Sequence, residues 1–249
     1  MRFRLLTYNI HKGIGGVDRK YHPDRIISVL SHYAPDIALL QEVDDGVPRS
    51  QRHRQVDLLG DALDFRHRAY QRNVRLTHGA YGNAILSRFP LFDVNHVDLS
   101  VPLKKRRRAL VAHCRLHFDG HTRRMLLFNV HLGLAGFERL IQLRRVLATD
   151  ILRHTHRHTP VVVAGDFNDV FGTLGRKTLQ PSGFTPAVHK QKTFPAMLPL
   201  RPLDRVFYRG DVRHHHTFAA HSAVARQASD HLPLVVDFEL LEPSSEQGR

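Results

Sequence analysis

The residues best suited to chemistry in this sequence stand where an apolar run stops. Residues 161–164 are rich in β-branched valine and predict a buried strand that Gly165 ends. Asp166 and Asn168 follow at once, and they point the same way if the extended backbone continues, because side chains alternate along a strand. An acid and an amide that face one point suit water activation and contact with an oxyanion. The alternative is an Asx turn, in which these side chains bond to their own backbone.

Polar side chains also stand at the ends of four other predicted strands: Asn9, Glu42, His131 and the pair Asp230 and His231. Taken singly, Asn9 fits a turn, Glu42 a surface acid and His231 a structural histidine. As a set they combine oxygen ligands for a hard cation with histidines, and Mg²⁺ prefers carboxylate and amide oxygens while keeping several waters. The chain has no Cys/His zinc spacing, no P-loop, no dinucleotide fingerprint and no nucleophile elbow.

Positive charge dominates the composition. The formal net charge is +14, with 20 further histidines, and such a balance favours encounter with nucleic acid, anionic lipid or phosphorylated small molecules. The densest basic run covers residues 104–108, and its alternative is a solvated loop with no partner. Because basic residues are spread along the whole chain, the charge supports an anionic substrate without locating it.

Length, cysteine content and hydropathy set the class of protein. The 249 residues are 42% hydrophobic and show no repeat or linker, which predicts one domain over residues 1–242 and a frayed polar tail at 243–249. Cys114 is the single cysteine, so no intrachain disulfide forms, and it is expected in the core. No apolar run approaches the ~20 residues of a membrane span, and no signal peptide is evident, so we expect a cytoplasmic protein.

Hydrophobic periodicity predicts many strands and few helices. A helix is expected from Pro23 to the residues before Pro35, a second over 56–63, and a third over 137–152 with a buried stripe at every third or fourth position. Strands are expected at residues 3–10, 37–40, 65–76, 81–87, 91–99, 109–118, 124–132, 161–164, 203–208 and 232–238. Several are joined as hairpins, as at Asp119–Gly120, which favours two stacked mixed sheets with helices outside.

Seven segments, in this order, resemble the motifs of the endonuclease/exonuclease/phosphatase superfamily. They are Thr7-Tyr8-Asn9-Ile10, Leu39-Leu40-Gln41-Glu42-Val43, Gly82-Asn83-Ala84-Ile85-Leu86-Ser87-Arg88, Asn129-Val130-His131-Leu132, Gly165-Asp166-Phe167-Asn168, Leu203-Asp204-Arg205-Val206 and Ser229-Asp230-His231-Leu232-Pro233. Any one tetrapeptide is common, but the ordered set spans residues 7 to 233. The resemblance implies a four-layered α/β sandwich and a divalent-metal phosphoesterase whose site lies at one end of it.

The resemblance also implies a role for each matching residue. Glu42 is similar to the principal metal ligand, with Asn9 beside it and Asp230 near the metal or an alternative metal position. Asp166 resembles the residue that orients or deprotonates the attacking water, and Asn168 the amide on the phosphoryl oxygens. His231, oriented by Asp204, resembles the histidine that acts on phosphate or water, and His131 the one that contacts the scissile phosphate. Asn83 ranks below these. The implied cofactor is Mg²⁺, with Mn²⁺ as a substitute.

One departure from the family pattern leaves the substrate open. Abasic-site endonucleases carry an acid two positions after the first-strand asparagine, whereas this chain has His11, followed by Lys12 and Gly13, as in small bacterial members. The favoured expectation is a nuclease acting on nucleic acid. The alternatives are a phosphodiesterase or phosphatase on a phospholipid head group or phosphoinositol at an anionic membrane surface, and a catalytically silent polyanion-binding module. No obligate protein partner is evident.

Overall fold

The computed structural model describes residues 1–118, 120–187 and 191–242. Asp119 of the predicted hairpin turn and the predicted polar tail at 243–249 lie outside these residues. Within them, the chain forms two six-stranded mixed sheets. None of the helices in the described ranges is long and apolar enough to cross a membrane.

The first sheet has the strand order β11-β12-β1-β2-β4-β3 and the second the order β5-β6-β7-β8-β10-β9. The strands are β1 (Arg2–Asn9), β2 (Ile37–Asp45), β3 (His67–Arg75), β4 (Ala80–Ser87), β5 (Leu91–Asp98), β6 (Arg108–Phe118), β7 (His121–His131), β8 (Val161–Asp166), β9 (Thr185–Pro186), β10 (Asp204–Arg209), β11 (Val212–Ala219) and β12 (Leu234–Leu240). Strand β1 pairs with β2, and β7 with β8, in parallel, while the other pairings among the described residues are antiparallel.

Helices cover the outer face of each sheet. They are α1 (Pro23–Tyr33), α2 (Gln55–Ala62), α3 (Gly136–Leu147), α4 (Asp150–Arg153), α5 (Leu174–Thr178) and α6 (Ala223–Ala228). Apolar side chains of α1, α2 and α6 pack on the first sheet, and those of α3, α4 and α5 on the second. A third cluster, which includes Leu39, Cys114 and Val162, fills the space between the sheets. The expected four-layered sandwich and the buried position of Cys114 are therefore confirmed.

The predicted helix over 137–152 is wrong in its continuity. Thr149 adopts an extended backbone (φ −66°, ψ 137°) and its hydroxyl donates to the Val146 carbonyl, so α3 ends at Leu147 and α4 begins at Asp150. A threonine hydroxyl that bonds to the preceding turn competes with helix continuation. Although the stripe was expected to be apolar, α3 also buries Glu138 and Gln142.

The second strand was expected to end at Leu40, but β2 continues to Asp45. Its register with β4 shifts between Leu40 and Val43, which identifies a β-bulge, and Glu42 takes a left-handed backbone (φ 57°). A bulge re-aims the side chain at that point. Similarly, β8 continues past the predicted stop at Gly165 and ends at Asp166, which pairs with His131 on one side and Asp204 on the other.

Candidate active site

Strand register brings most of the predicted site residues to one end of the sandwich. In the second sheet His131, Asp166 and Asp204 are direct neighbours across β7, β8 and β10. In the first sheet Asn9 ends β1, and its amide donates to the Asp166 carboxylate across the sandwich. The two sheets therefore meet at Asp166 through a hydrogen bond between residues 157 positions apart.

Three side chains converge on one oxygen of Asp166. The Asn9 Nδ2 lies 3.1 Å from Asp166 Oδ2, the His131 Nε2 3.5 Å and the His231 Nε2 3.8 Å. All four residues are buried. A carboxylate surrounded by an amide and two imidazoles can accept a proton from water while the nitrogens face the same point.

His231 is held by a buried carboxylate on its other side. Its Nδ1 lies 2.8 Å from Asp204 Oδ2, and the Thr193 hydroxyl donates to that same oxygen at 2.5 Å. The His231 backbone N–H donates to the Ser229 hydroxyl, which in turn donates to the Asn9 carbonyl. The sequence alone assigns no role to Thr193 or Ser229, although Ser229 lies within a motif segment and Thr193 lies 11 positions before Asp204.

The charges of these groups set their protonation. Burial opposes protonation of His231, but the Asp204 and Asp166 carboxylates outweigh it and raise its pKa to about 10. Burial raises the pKa of Asp166 to about 6, against the lowering effect of His231. Burial and the Arg107 charge hold the pKa of His131 well below its ordinary range. At neutral pH the site therefore combines an imidazolium, a neutral imidazole and a carboxylate that is mostly ionised.

Glu42 forms an ion pair with the Lys12 ammonium. Burial disfavours the charged form of Glu42, but Lys12 outweighs it, and the pKa of the carboxyl lies below its ordinary value. Asp230 stands further out, with its carboxylate 3.9 Å from the His11 Nδ1. The described residues contain no group of three or more His, Cys, Asp or Glu side chains that could hold a metal ion.

Comparison with known proteins decides the family. Residues 6–231 match the Endonuclease/Exonuclease/phosphatase family. The chain belongs to this family. It is 31% identical over 252 residues to the uncharacterised protein YbhP of Escherichia coli K12, covering 96% of each chain. These matches confirm the resemblance carried by the seven segments, and with it a phosphoesterase of this family.

Solved structures share the fold of this family member. An endonuclease/exonuclease/phosphatase from Beutenbergia cavernae aligns with a TM-score of 0.77 at 23% identity, covering 96% of this chain and 72% of that one. A mannosyl-6-phosphatase from Bacteroides thetaiotaomicron aligns with a TM-score of 0.73 at 16% identity, covering 96% of this chain and 100% of that one. At these identities the likeness concerns the fold alone.

Asn168 departs from its expected geometry. Its backbone is left-handed (φ 51°), so the extended conformation does not persist beyond Asp166. The Asn168 N–H donates to Asp166 Oδ1 at 2.9 Å, and its side-chain Nδ2 donates to the Leu132 carbonyl. The structure therefore contains the Asx turn that was the alternative to a continued strand. In this turn the two side chains do not point in the same direction, as they would along an extended strand.

Asn83 lies behind the site, within a buried polar network between the sheets. Its Nδ2 donates to the carbonyls of Arg108 and Asn129, each at 3.3 Å. Asn129 donates to two carbonyls of the first sheet and accepts from the Gln41 amide at 2.8 Å. These buried amides join the sheets just below the site, which is a structural role that their motif positions did not reveal.

The basic run at 104–108 is only partly the solvated loop that we considered. Lys104, Lys105 and Arg106 are exposed, but Arg107 is only 6% exposed and Arg108 begins β6. Part of this positive charge therefore points into the protein, toward the end of the sandwich that carries His131.

Proposed function

We propose that this chain hydrolyses phosphodiester bonds in nucleic acid with Mg²⁺ as cofactor. The observation that carries the proposal is the convergence of Asn9, His131 and His231 on Asp166. In-line attack of water on phosphorus needs a base for the water and positive or hydrogen-bonding groups for the non-bridging oxygens. The site contains both within one buried end of the sandwich.

Asp166 is the general base in this proposal. Its pKa of about 6 lies close to neutral pH, where a base is both ionised and able to accept a proton. His231, with a pKa of about 10, stays protonated and stabilises charge on the phosphoryl oxygens. His131 and Asn168 contact the same phosphoryl group, and Asp204 keeps the His231 ring oriented.

The oxygen donors at the site suit Mg²⁺. Glu42 and Asn9 would hold it, with Asp230 as an outer or alternative ligand, and Mg²⁺ tolerates so few protein ligands because it keeps several waters. The Lys12 ammonium pairs with Glu42 in this structure, so Mg²⁺ would have to displace it in order to bind that carboxylate. When bound, Mg²⁺ or Mn²⁺ supplies Lewis-acid charge at the phosphoryl oxygens.

The net charge of +14 favours nucleic acid as the substrate, and we place the activity in the cytoplasm. A second candidate is a lipid head group. Leu103, Leu134 and Phe171 are at least three-quarters exposed and lie in loops beside the strand ends of His131 and Asp166. Exposed apolar side chains beside basic ones suit insertion into an anionic membrane surface.

Hydrolysis assays test these readings together. We expect purified protein to cleave bis-p-nitrophenyl phosphate and nick plasmid DNA with Mg²⁺, and to lose both activities in EDTA. Asp166→Ala should lower turnover by at least ~10²-fold, the usual scale for a positioned acid–base group. Cleavage of p-nitrophenyl phosphate with intact DNA would instead indicate a phosphatase. Hydrolysis of phospholipid head groups in vesicles, with DNA left intact, would favour the second candidate. If no substrate is hydrolysed, the result would favour a catalytically silent module that binds polyanions.

A further inference from the structure

Arg107 is a largely buried arginine that is only 6% exposed. Its Nε has no hydrogen-bond partner, and no carboxylate within the described residues forms an ion pair with it. Its backbone is satisfied, since the N–H donates to the Ser100 hydroxyl and the carbonyl accepts from the Leu99 N–H. Because a buried charge is costly unless it is paired, an unpaired arginine at this depth points to an anionic ligand.

Arg107 lies next to the site. It immediately precedes β6, and the register that pairs Leu110 with Asn129 brings this end of β6 alongside His131 at the end of β7. Among charged groups, Arg107 has the largest effect on the pKa of His131, and Lys12 and Lys105 act in the same direction. The arginine therefore stands on the side of His131 that faces away from Asp204.

Three further cations lie against the buried Tyr81 ring, and two of them, Lys12 and Lys105, also lower the pKa of His131. Lys105 Nζ lies 5.1 Å from the centre of the Tyr81 ring, the Arg49 guanidinium 5.4 Å and Lys12 Nζ 5.7 Å. Cation–π attraction holds these groups near one another despite their mutual repulsion.

Two of these cations are already neutralised. Arg49 forms a two-pronged ion pair with Asp44, and Lys12 pairs with Glu42. Lys105, like Arg107, has no carboxylate partner in the ranges that the structure describes. Of the cations described around Tyr81 and His131, Lys105 and Arg107 are therefore the two whose charge no carboxylate neutralises.

We infer that Lys105 and Arg107 form a second anion subsite beside His131, which binds a phosphate next to the scissile one. The inference rests on the proposed function and narrows its substrate to a phosphate ester with a second phosphate about one nucleotide away, as in a nucleic-acid strand. Arginine and lysine suit this role, because both form charge-assisted hydrogen bonds to phosphate.

Equilibrium binding tests the subsite without requiring turnover. Thymidine 3′,5′-bisphosphate and thymidine 5′-monophosphate differ only in the second phosphate, and isothermal titration in EDTA measures both. We expect the bisphosphate to bind at least about tenfold tighter, the scale of one or two charge-assisted contacts. Lys105→Gln and Arg107→Gln should each remove most of that difference.

Lys104→Gln is the matched control. It removes the same charge one position away, but the Lys104 ammonium lies over the Phe137 ring, 5.4 Å from its centre, rather than over Tyr81. We expect the ratio of the two affinities to stay at its wild-type value in this variant. A thermal melt checks the folding of Arg107→Gln, and Lys105→Gln provides the test if that variant does not fold.

Equal affinities for the two ligands in the wild-type protein would overturn the subsite. So would a ratio that survives Lys105→Gln, or one that Lys104→Gln lowers equally. Failure of the proposed function is a separate result, because it would appear as absent phosphodiester hydrolysis in Mg²⁺ while this binding ratio could still be measured. With an active enzyme, pTpT should also be cleaved faster than TpT, and the two variants should narrow that gap.

Discussion

Asp204→Asn removes the negative charge from the buried ion pair between Asp204 and His231. The two side chains are almost completely inaccessible to solvent, and the His231 Nδ1 lies 2.8 Å from the carboxylate. Asparagine keeps the shape and can still accept the Thr193 hydroxyl hydrogen. The substitution therefore tests the charge of Asp204 rather than its volume.

The expected effect follows from the pKa of His231. The carboxylates raise it from the ordinary 6.5 to about 10 against the opposing effect of burial. Loss of one partner of a buried pair costs about 3–5 kcal/mol, which corresponds to about 2–4 pKa units. Since Asp204 is the nearer carboxylate, we expect the pKa of His231 in the variant to fall to about 6–8.

The pH–rate profile for diester cleavage measures this change. In the proposed mechanism the protonated form of His231 is the active one, so the wild-type rate should stay high through pH 8 and fall only as pH approaches about 10. In Asp204→Asn this alkaline limb should move down by at least ~2 pH units, with a ~2- to 100-fold loss of turnover at pH 8 across the expected pKa range of about 6–8. The free energy of unfolding should depend on pH in the same direction. Because the pKa of His231 is raised in the folded state, the His231–Asp204 pair stabilises the fold fully below about pH 6.5 and loses that contribution as pH rises toward about 10.

Asp169→Asn is the control for this prediction. Asp169 is a buried acid at the same end of the second sheet, but its carboxylate accepts the Leu174 N–H at 2.7 Å. The same chemical change there should leave the alkaline limb in place. An unchanged alkaline limb in Asp204→Asn, or an equal shift in both variants, would refute the assigned protonation of His231.

Three further predictions concern the metal, the cysteine and the backbone. Glu42→Gln should raise the Mg²⁺ concentration for half-maximal activity at least ~10-fold, and an unchanged metal titration would contradict its role as a ligand. Burial raises the pKa of Cys114 to about 12, so Ellman's reagent at pH 8 should label it only after denaturation. Gly165→Ala should lower the free energy of unfolding by at least ~2 kcal/mol in urea titrations, because its Cβ would lie 1.9 Å from the Val130 carbonyl oxygen. Gly183→Ala, with open space at a positive φ of 82°, should cost less.

Most of the fold was predictable because its core strands are apolar and its hairpins are short. The elements that escaped prediction lack that signal. Strand β11 lies at the edge of its sheet and carries three consecutive histidines, two of them exposed, so it has no apolar run. Helix α6 has only six residues, which is too short for a clear helical period. The break at Thr149 depends on one hydroxyl, which hydrophobic periodicity does not register.

The convergence of the candidate site residues was predictable from their positions at strand ends, but their contact geometry was not. Asn9, His131, Asp166, Asp204 and His231 do come together, as strand ends and motif order indicated. Their contacts join positions far apart in the chain, which no local pattern encodes.

The residues that complete the site are less visible still. Thr193 lies in a proline-rich segment without a strand signal, and the burial of Arg107 is hidden within a run whose first three members are exposed. Side-chain direction in an irregular loop depends on what the loop packs against, and that information is distributed over the whole fold.

The loop after β1 connects the proposed Mg²⁺ ligand Glu42 with the proposed phosphate subsite at Lys105 and Arg107. Where abasic-site endonucleases place an acid, His11 turns its Nδ1 to the Ile14 carbonyl, and the next residue, Lys12, pairs with Glu42. Mg²⁺ at Glu42 would compete with that ammonium, because one carboxylate cannot be shared closely by both cations without repulsion between them. A displaced Lys12 would remain within reach of the Tyr81 ring, where Lys105 lies. Metal binding would thus add a third unpaired cation to the proposed phosphate subsite, and occupancy of the two sites by Mg²⁺ and a phosphate-rich substrate should be mutually favourable.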